Sequence, residues 1–200
     1  MTSTITGLFD TREDAMAAVD ALHGAGILDQ NISIVASNGD GGYSTDTADE
    51  AVEDAGKGAG IGAVLGGAGG LLTGLGIMAI PGVGPVVAAG WLVATAAGAV
   101  AGAAVGGAAG GLVGAMTANG IPERDAHVYA ESVRRGGSLV TARVEDVDAP
   151  AARKILAGGS VDVAARDKAY RAGGWDGFDE NAPPLSADPV GGDRIRQPLL

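Results

Sequence analysis

The chain has no cysteine and very few aromatic side chains. Without cysteine, neither a disulfide framework nor thiol chemistry is available. Trp, Tyr and Phe together supply only 4% of the 200 residues, so the core cannot be rich in aromatic rings. The formal net charge is −11. It argues against bulk nucleic-acid binding, which needs a basic face to displace counterions from phosphates.

One long region contains no charged side chain: every residue from Gly58 to Pro122 is uncharged. Glycine, at 36 of 200 residues, is far above its usual ~7%, and most of the excess lies here. A four-residue spacing places residues along one side of a helix. Glycine costs a helix about 1 kcal/mol relative to alanine, and close helix–helix packing offsets that cost. We therefore predict helix packing and oligomerisation through two glycine runs: Gly58, Gly62, Gly66, Gly70, Gly74, and Gly98, Gly102, Gly106, Gly110, Gly114.

The uncharged region is predicted to form a helical hairpin over 57–120. Its arms are helices over 57–79 and 86–118, each long enough to cross a hydrocarbon layer of ~30 Å. Between them, Ile80 to Pro85 reads Ile-Pro-Gly-Val-Gly-Pro. This composition breaks a helix and makes a tight reversal. The expected turn residues are Pro81, Gly82, Gly84 and Pro85.

The flanking regions alternate between strand and helix patterns. Near the start, Asp10 or Thr11 can cap a helix whose apolar face is Ala15, Val19 and Leu22. Residues 1–36 and 121–168 are predicted to be the two halves of one α/β domain, with 37–56 as an acidic linker. The halves supply four short strands, at Thr4–Phe9, Ile32–Ala36, Ser138–Val144 and Val161–Ala164. Together the pattern predicts an α+β fold, a ferredoxin-like sandwich split by the inserted hairpin.

Residues 169–200 are predicted to be a flexible tail, because they are rich in proline and glycine and show little periodicity. Beyond Tyr170, Trp175 and Phe178 are its only aromatic residues. Two interpretations stay open. The tail is either an unstructured solubilising segment or a docking peptide for another protein, with these two residues as its anchors.

No pattern of catalytic or metal-ligating residues stands out. His23 and His127 are the only histidines, and each is expected to have a structural role. No cluster has zinc-ligand spacing, no Gly-x-Ser-x-Gly elbow occurs, and the glycine-rich runs lack the Lys-Ser/Thr ending of a phosphate loop. We predict no catalytic residue, no metal and no cofactor, and that the protein is not an enzyme.

Several motifs outside and inside the insert resemble bacterial general stress proteins of the YflT type and their glycine-zipper-containing relatives. The start, Ile5-Thr6-Gly7-Leu8-Phe9 with Ile32-Ser33-Ile34-Val35, is similar to theirs, as are the Pro-Gly-Val-Gly-Pro turn and Gly136-Gly137-Ser138-Leu139-Val140. The resemblance covers about residues 4–144. It implies a stress-associated protein, commonly at a membrane, and it implies no catalytic residues.

Two functions follow from these features, and both require self-association. In the first, a stress-response protein associates with the cytoplasmic membrane through its hairpin, and the α/β domain lies in the cytoplasm, since the amino terminus lacks the basic and apolar regions of a signal peptide. In the second, hairpins of a soluble homo-oligomer form an internal apolar core that holds lipophilic cargo. The flanks carry few basic residues, so the positive-inside signal is weak. A pore is a third possibility, with no polar lining to support it.

Overall fold

The structure is a computed structural model, and it describes residues 2–39, 76–92, 95, 111–183 and 185. Five strands and five α-helices occur in this part of the chain. In order they are β1 (Thr2–Phe9), α1 (Arg12–Gly24), a short 3₁₀ turn (Asp29–Asn31), β2 (Ile32–Ser37), β3 (Gly76–Ile80), β4 (Gly84–Gly90), α2 (Gly111–Ala118), α3 (Glu123–Arg134), β5 (Ser138–Glu145), α4 (Ala149–Ala157) and α5 (Val163–Ala172).

The strands form one sheet in the order β1-β5-β2-β4-β3, and every neighbouring pair is antiparallel. In the centre, Ile34 of β2 lies opposite Val140 of β5 and Ala89 of β4. The strands β1 and β2 run parallel to each other with β5 between them, and α1 connects them. The predicted α+β class is therefore confirmed.

Side chains alternate between the two faces of the sheet along each strand. Both faces are apolar, and helices pack on each of them. One face presents Ile5, Ile34 and Val140 to α1 and α4. The opposite face presents Val35 and Leu139 to α2 and α3. The structure thus has two helical layers, whereas the predicted sandwich has one.

The local signals read from the first 36 residues are confirmed. Thr11 caps α1, and its Oγ1 accepts a hydrogen bond of 3.1 Å from the Asp14 amide. Ala15, Val19 and Leu22 lie on the buried face of that helix. Such a cap satisfies one of the free amides at the helix start and stabilises it by about 1 kcal/mol.

The predicted helical hairpin is wrong around its turn, although the end of its second arm is helical as predicted, at Gly111–Ala118. Residues 76–80 and 84–90 are strands, and β4 pairs with β2 from Ser33–Gly90 to Ser37–Val86. A short apolar run bounded by proline and glycine fits a buried strand as well as a helix, and apolarity alone does not separate the two. The reversal at 81–84 is present, but it joins two strands.

Two boundaries near the carboxyl end also differ from the predictions. The expected strand at 161–164 is instead the start of α5, where the Asp162 carboxylate accepts hydrogen bonds from the amides of Ala164 and Ala165. Only the Val161 amide joins the sheet edge, with a hydrogen bond of 2.7 Å to the Leu8 carbonyl. The predicted flexible tail from 169 is likewise wrong at its start, because α5 continues to Ala172.

Candidate functional site

The predicted site residues divide into those the structure describes and those it does not. Of the ten glycines in the two runs, only Gly114 is described. It lies half-buried on α2, whose Leu112 and Met116 belong to the core between sheet and helices. The other nine, and the acidic linker from residue 40 onward, lie outside the described residues.

Of the four predicted turn residues, Pro81 and Gly82 form a tight β-turn between β3 and β4, whereas Gly84 and Pro85 belong to β4. The Val83 amide donates a hydrogen bond of 3.1 Å to the Ile80 carbonyl. Proline at the second position and glycine with φ of +72° at the third are the signature of a type II turn. These two residues are therefore sufficient to reverse the chain.

The turn and the carboxyl-terminal aromatic residues, which were predicted separately, lie together. Phe178 is only 8% exposed and belongs to the same core as Val83 of the turn. A Cβ atom added to Gly82 would lie 2.5 Å from the Asp179 carbonyl oxygen and 2.9 Å from Cζ of Phe178. Residues 173–183, here called the C-terminal strap, therefore pack directly on the glycine of the turn.

Hydrogen bonds hold the strap against α3 and α5. The Phe178 amide donates to Nδ1 of His127 at 3.2 Å, and Nη2 of Arg134 donates to the Pro183 carbonyl at 3.1 Å. Trp175 packs edge-on against Tyr170, with 5.6 Å between ring centroids. The two aromatic residues considered as anchors for another protein are thus packed within their own chain.

The strap also brings a carboxyl group to a partly desolvated position. The Glu180 carboxylate approaches Gly111 at the start of α2, where an added Cβ would lie 3.3 Å from Oε1. Burial raises the pKa of this carboxyl above its ordinary value. Burial likewise raises the pKa of the Tyr129 phenol to about 12, so the phenol stays neutral at physiological pH.

A network of arginines surrounds two buried carboxylates beside the strap. Asp167, with its side chain 3% exposed, accepts hydrogen bonds from Arg124 at 3.2 Å and from Arg171 at 2.8 Å. Glu131 is fully buried and pairs with Arg134 and Arg135. Sequence analysis did not single out these residues; the i,i+4 spacings of 131 with 135 and of 167 with 171 were the available signal.

Next to Asp167 the surface has a shallow depression of about 240 Å³, lined by Glu123, Arg124, His127, Arg171, Asp176 and Gly177. Both arginines of this lining already bond to Asp167. The lining mixes acidic and basic groups, and Nδ1 of His127 accepts a hydrogen bond from the Phe178 amide. The depression therefore has the chemistry of a charged surface network that anchors the strap, with no nucleophile and base in hydrogen-bond contact.

We expect the Asp167 network to make stability depend on acid pH. The hydrogen bond from Arg124 holds the pKa of Asp167 below its ordinary value of 3.8, against the opposing effect of burial. The folded state therefore keeps this charge to lower pH than the unfolded state. The stabilisation is present above about pH 4 and is lost as the pH falls through the folded-state pKa.

Asp167→Asn tests this expectation. Urea unfolding between pH 2.5 and pH 6 should show a smaller loss of stability on acidification in the variant than in the wild type. Asp20→Asn, at an exposed position of α1 outside this network, serves as the matched control and should leave the slope nearly unchanged. Identical pH profiles for wild type and D167N would refute a role for Asp167.

Two further findings concern metal binding and membrane spans among the described residues. Within the described ranges, no group of three or more His, Asp or Glu side chains is arranged to hold a metal ion. None of the described helices has both the length and the apolar character needed to cross a bilayer.

Comparison with models of protein families gives no match, and comparisons with curated proteins and with solved structures give none either.

Proposed function

We propose that this chain is a non-enzymatic protein that self-associates through its two glycine runs. In this proposal the α+β domain is the platform that holds the two runs next to each other. The stress-response role implied by the resemblance to YflT-type proteins is part of the same proposal.

The observation that carries the proposal is the register of β3 and β4. Gly76 lies opposite Ala88, and antiparallel neighbours are about 5 Å apart. The first run ends at Gly74, two residues before Gly76, and the second run begins at Gly98, eight residues after Gly90. The chain therefore enters β3 and leaves β4 at the same end of one β-hairpin, and we propose that this brings the two runs together.

Composition supplies the driving force. Glycine and alanine allow backbones to approach closely, which favours packing between segments and between copies. All charged residues lie outside 58–122, so the acidic α+β domains stay in water while the runs pack. We propose the cytoplasmic membrane as the location, with the α+β domain on the cytoplasmic side.

A soluble assembly is the second candidate, and one observation favours it. Val86, Leu112 and Met116 come from the uncharged region, yet they are buried in the core of the α+β domain. Part of that region is therefore covered by protein without any lipid. In a soluble homo-oligomer the remaining apolar residues would be covered by other copies, with space for lipophilic cargo.

Fractionation of wild type and a double glycine variant tests the proposal. The chain is expressed without detergent, membranes are sedimented, and the soluble fraction is measured by light scattering. Gly66→Leu with Gly106→Leu should reduce the particle mass at least twofold, because bulky side chains prevent close approach. Gly24→Leu, at a glycine with open space around it, is the matched control.

The outcomes separate the alternatives. Protein released from the pellet only by detergent supports the membrane location, and a defined large soluble particle supports the assembly. An unchanged particle mass in the double variant would show that the glycine runs do not mediate association.

A further inference from the structure

The direction in which the backbone groups of β3 point can be assigned from the hydrogen-bond pattern. The Pro85 carbonyl accepts a hydrogen bond of 2.9 Å from the Asn38 amide, on the β2 side. A residue in a strand points its N–H and C=O to the same side, so Pro85 faces β2. Ala79 lies opposite Pro85, and it therefore faces away from β4, as does Ile77 two residues earlier.

The described residues provide no partner for this edge. The opposite edge of the sheet, in contrast, is covered at one point, where the Val161 amide bonds to Leu8. The edge strand Gly-Ile-Met-Ala-Ile contains neither a charged residue nor a proline, the usual protections against edge pairing. Ile77 is 37% exposed, and Ala79 is also exposed.

We propose that β3 pairs in antiparallel fashion with β3 of a second copy, about a two-fold axis at Met78. This register places Ile77 of each copy opposite Ala79 of the other, and the outward N–H and C=O groups of both residues form four hydrogen bonds. A large side chain then lies next to a small one on the same face. Two five-stranded sheets become one sheet of ten strands.

A second copy is the partner that fits, because an antiparallel edge about a two-fold axis is self-complementary. The net charge of −11 opposes association of whole chains, but β3 lies inside the uncharged region, so like charges do not meet at this edge. The inference rests on the proposed self-association and names one surface for it, distinct from the glycine runs.

The absence of native cysteine makes a register-specific test possible. Met78→Cys in the full-length chain places two thiols at a non-hydrogen-bonded pair, where the Cα atoms are about 4.5 Å apart, within disulfide range. Ile77→Cys and Ala79→Cys are the controls, since in each the two identical positions lie two residues out of register, about 8 Å apart. Under mild oxidation, M78C should form a covalent dimer at least tenfold faster than either control.

The proposal is overturned if the three variants cross-link at equal rates, or if M78C stays monomeric on a non-reducing gel. A second experiment covers the case in which M78C folds poorly. In the G66L/G106L background, which removes association through the glycine runs, the doubly substituted chains I77K/A79K and I77E/A79E should each fail to dimerise alone and should form a mixed dimer when combined. No mixed dimer would also overturn the proposal.

The glycine double variant separates this inference from the proposed function. If G66L/G106L lowers the particle mass while M78C still cross-links in that background, both stand. If the particle mass is unchanged but M78C cross-links, the role of the glycine runs fails and edge pairing stands. If the mass falls as expected but M78C never cross-links, only the edge pairing fails.

Discussion

Gly90→Ala is expected to destabilise the fold by about 3 kcal/mol or more, an effect far larger than that of a typical surface substitution. Gly90 has φ of +95°, which a side chain disfavours. An added Cβ would lie 2.2 Å from the Ile32 carbonyl oxygen and 2.7 Å from Cα of Ser33. Both atoms are backbone atoms of β2, so relief requires β4 to move away from the sheet. Urea unfolding monitored by circular dichroism measures the loss.

Gly24→Ala is the matched control for that experiment. Gly24 closes α1, has an ordinary φ, and nothing lies within 4 Å of its added Cβ. We expect a change within about 0.5 kcal/mol, or slight stabilisation. The comparison also discriminates between the two interpretations of residues 86–90, the predicted helix and the observed strand. Alanine at position 90 would stabilise a helix by about 1 kcal/mol, so a stabilised variant would contradict the strand and restore the predicted helix.

The sequence predicted elements whose signals are local. Thr11 and the spacing of Ala15, Val19 and Leu22 were enough to place α1, and Pro81-Gly82 was enough to place a turn. Each signal acts within about four residues, and tertiary contacts did not override it. The α+β class followed because these elements alternate along the chain.

Long-range pairing could not be predicted in the same way. Residues 84–90 read Gly-Pro-Val-Val-Ala-Ala-Gly, and nothing within this segment distinguishes a helix from a buried strand. The choice depends on β2, about 50 residues earlier in the chain, and on room for Gly90 against Ser33. The glycine at 90, which lies inside the helix predicted over 86–118, is explained by this close approach of two strands.

The candidate site shows the same division. The turn and the aromatic residues of the tail were both identified in the sequence, but not as partners, since about 95 residues separate them. The buried carboxylates Glu131 and Asp167 were missed, because charged residues are usually exposed. Arg134, Arg135 and Arg171 lie three or four residues from the carboxylate that each one binds, whereas Arg124 of α3 reaches Asp167 of α5 only in the folded chain.

Phe178→Ala is the second large expected effect, because one side chain joins the strap to the core. Phe178 is buried with Val83, and it also lies against Gly82. Removing a buried phenylalanine ring costs about 3 kcal/mol or more. We expect lower stability in urea and faster hydrogen exchange at the Phe178 and Trp175 amides, which bond to His127 and to the Tyr170 carbonyl.

Leu185→Ala is the control, since Leu185 is 45% exposed and lies just beyond the strap. We expect a change within about 0.5 kcal/mol and unchanged exchange at Trp175. If both variants unfold like the wild type, the strap contributes nothing to the stability of the fold. The flexible tail predicted for residues 169–200 would then begin directly after α5, at residue 173. If only F178A is destabilised, Trp175 and Phe178 are committed to their own chain. A partner protein could then reach these aromatic residues only by displacing the strap from Gly82.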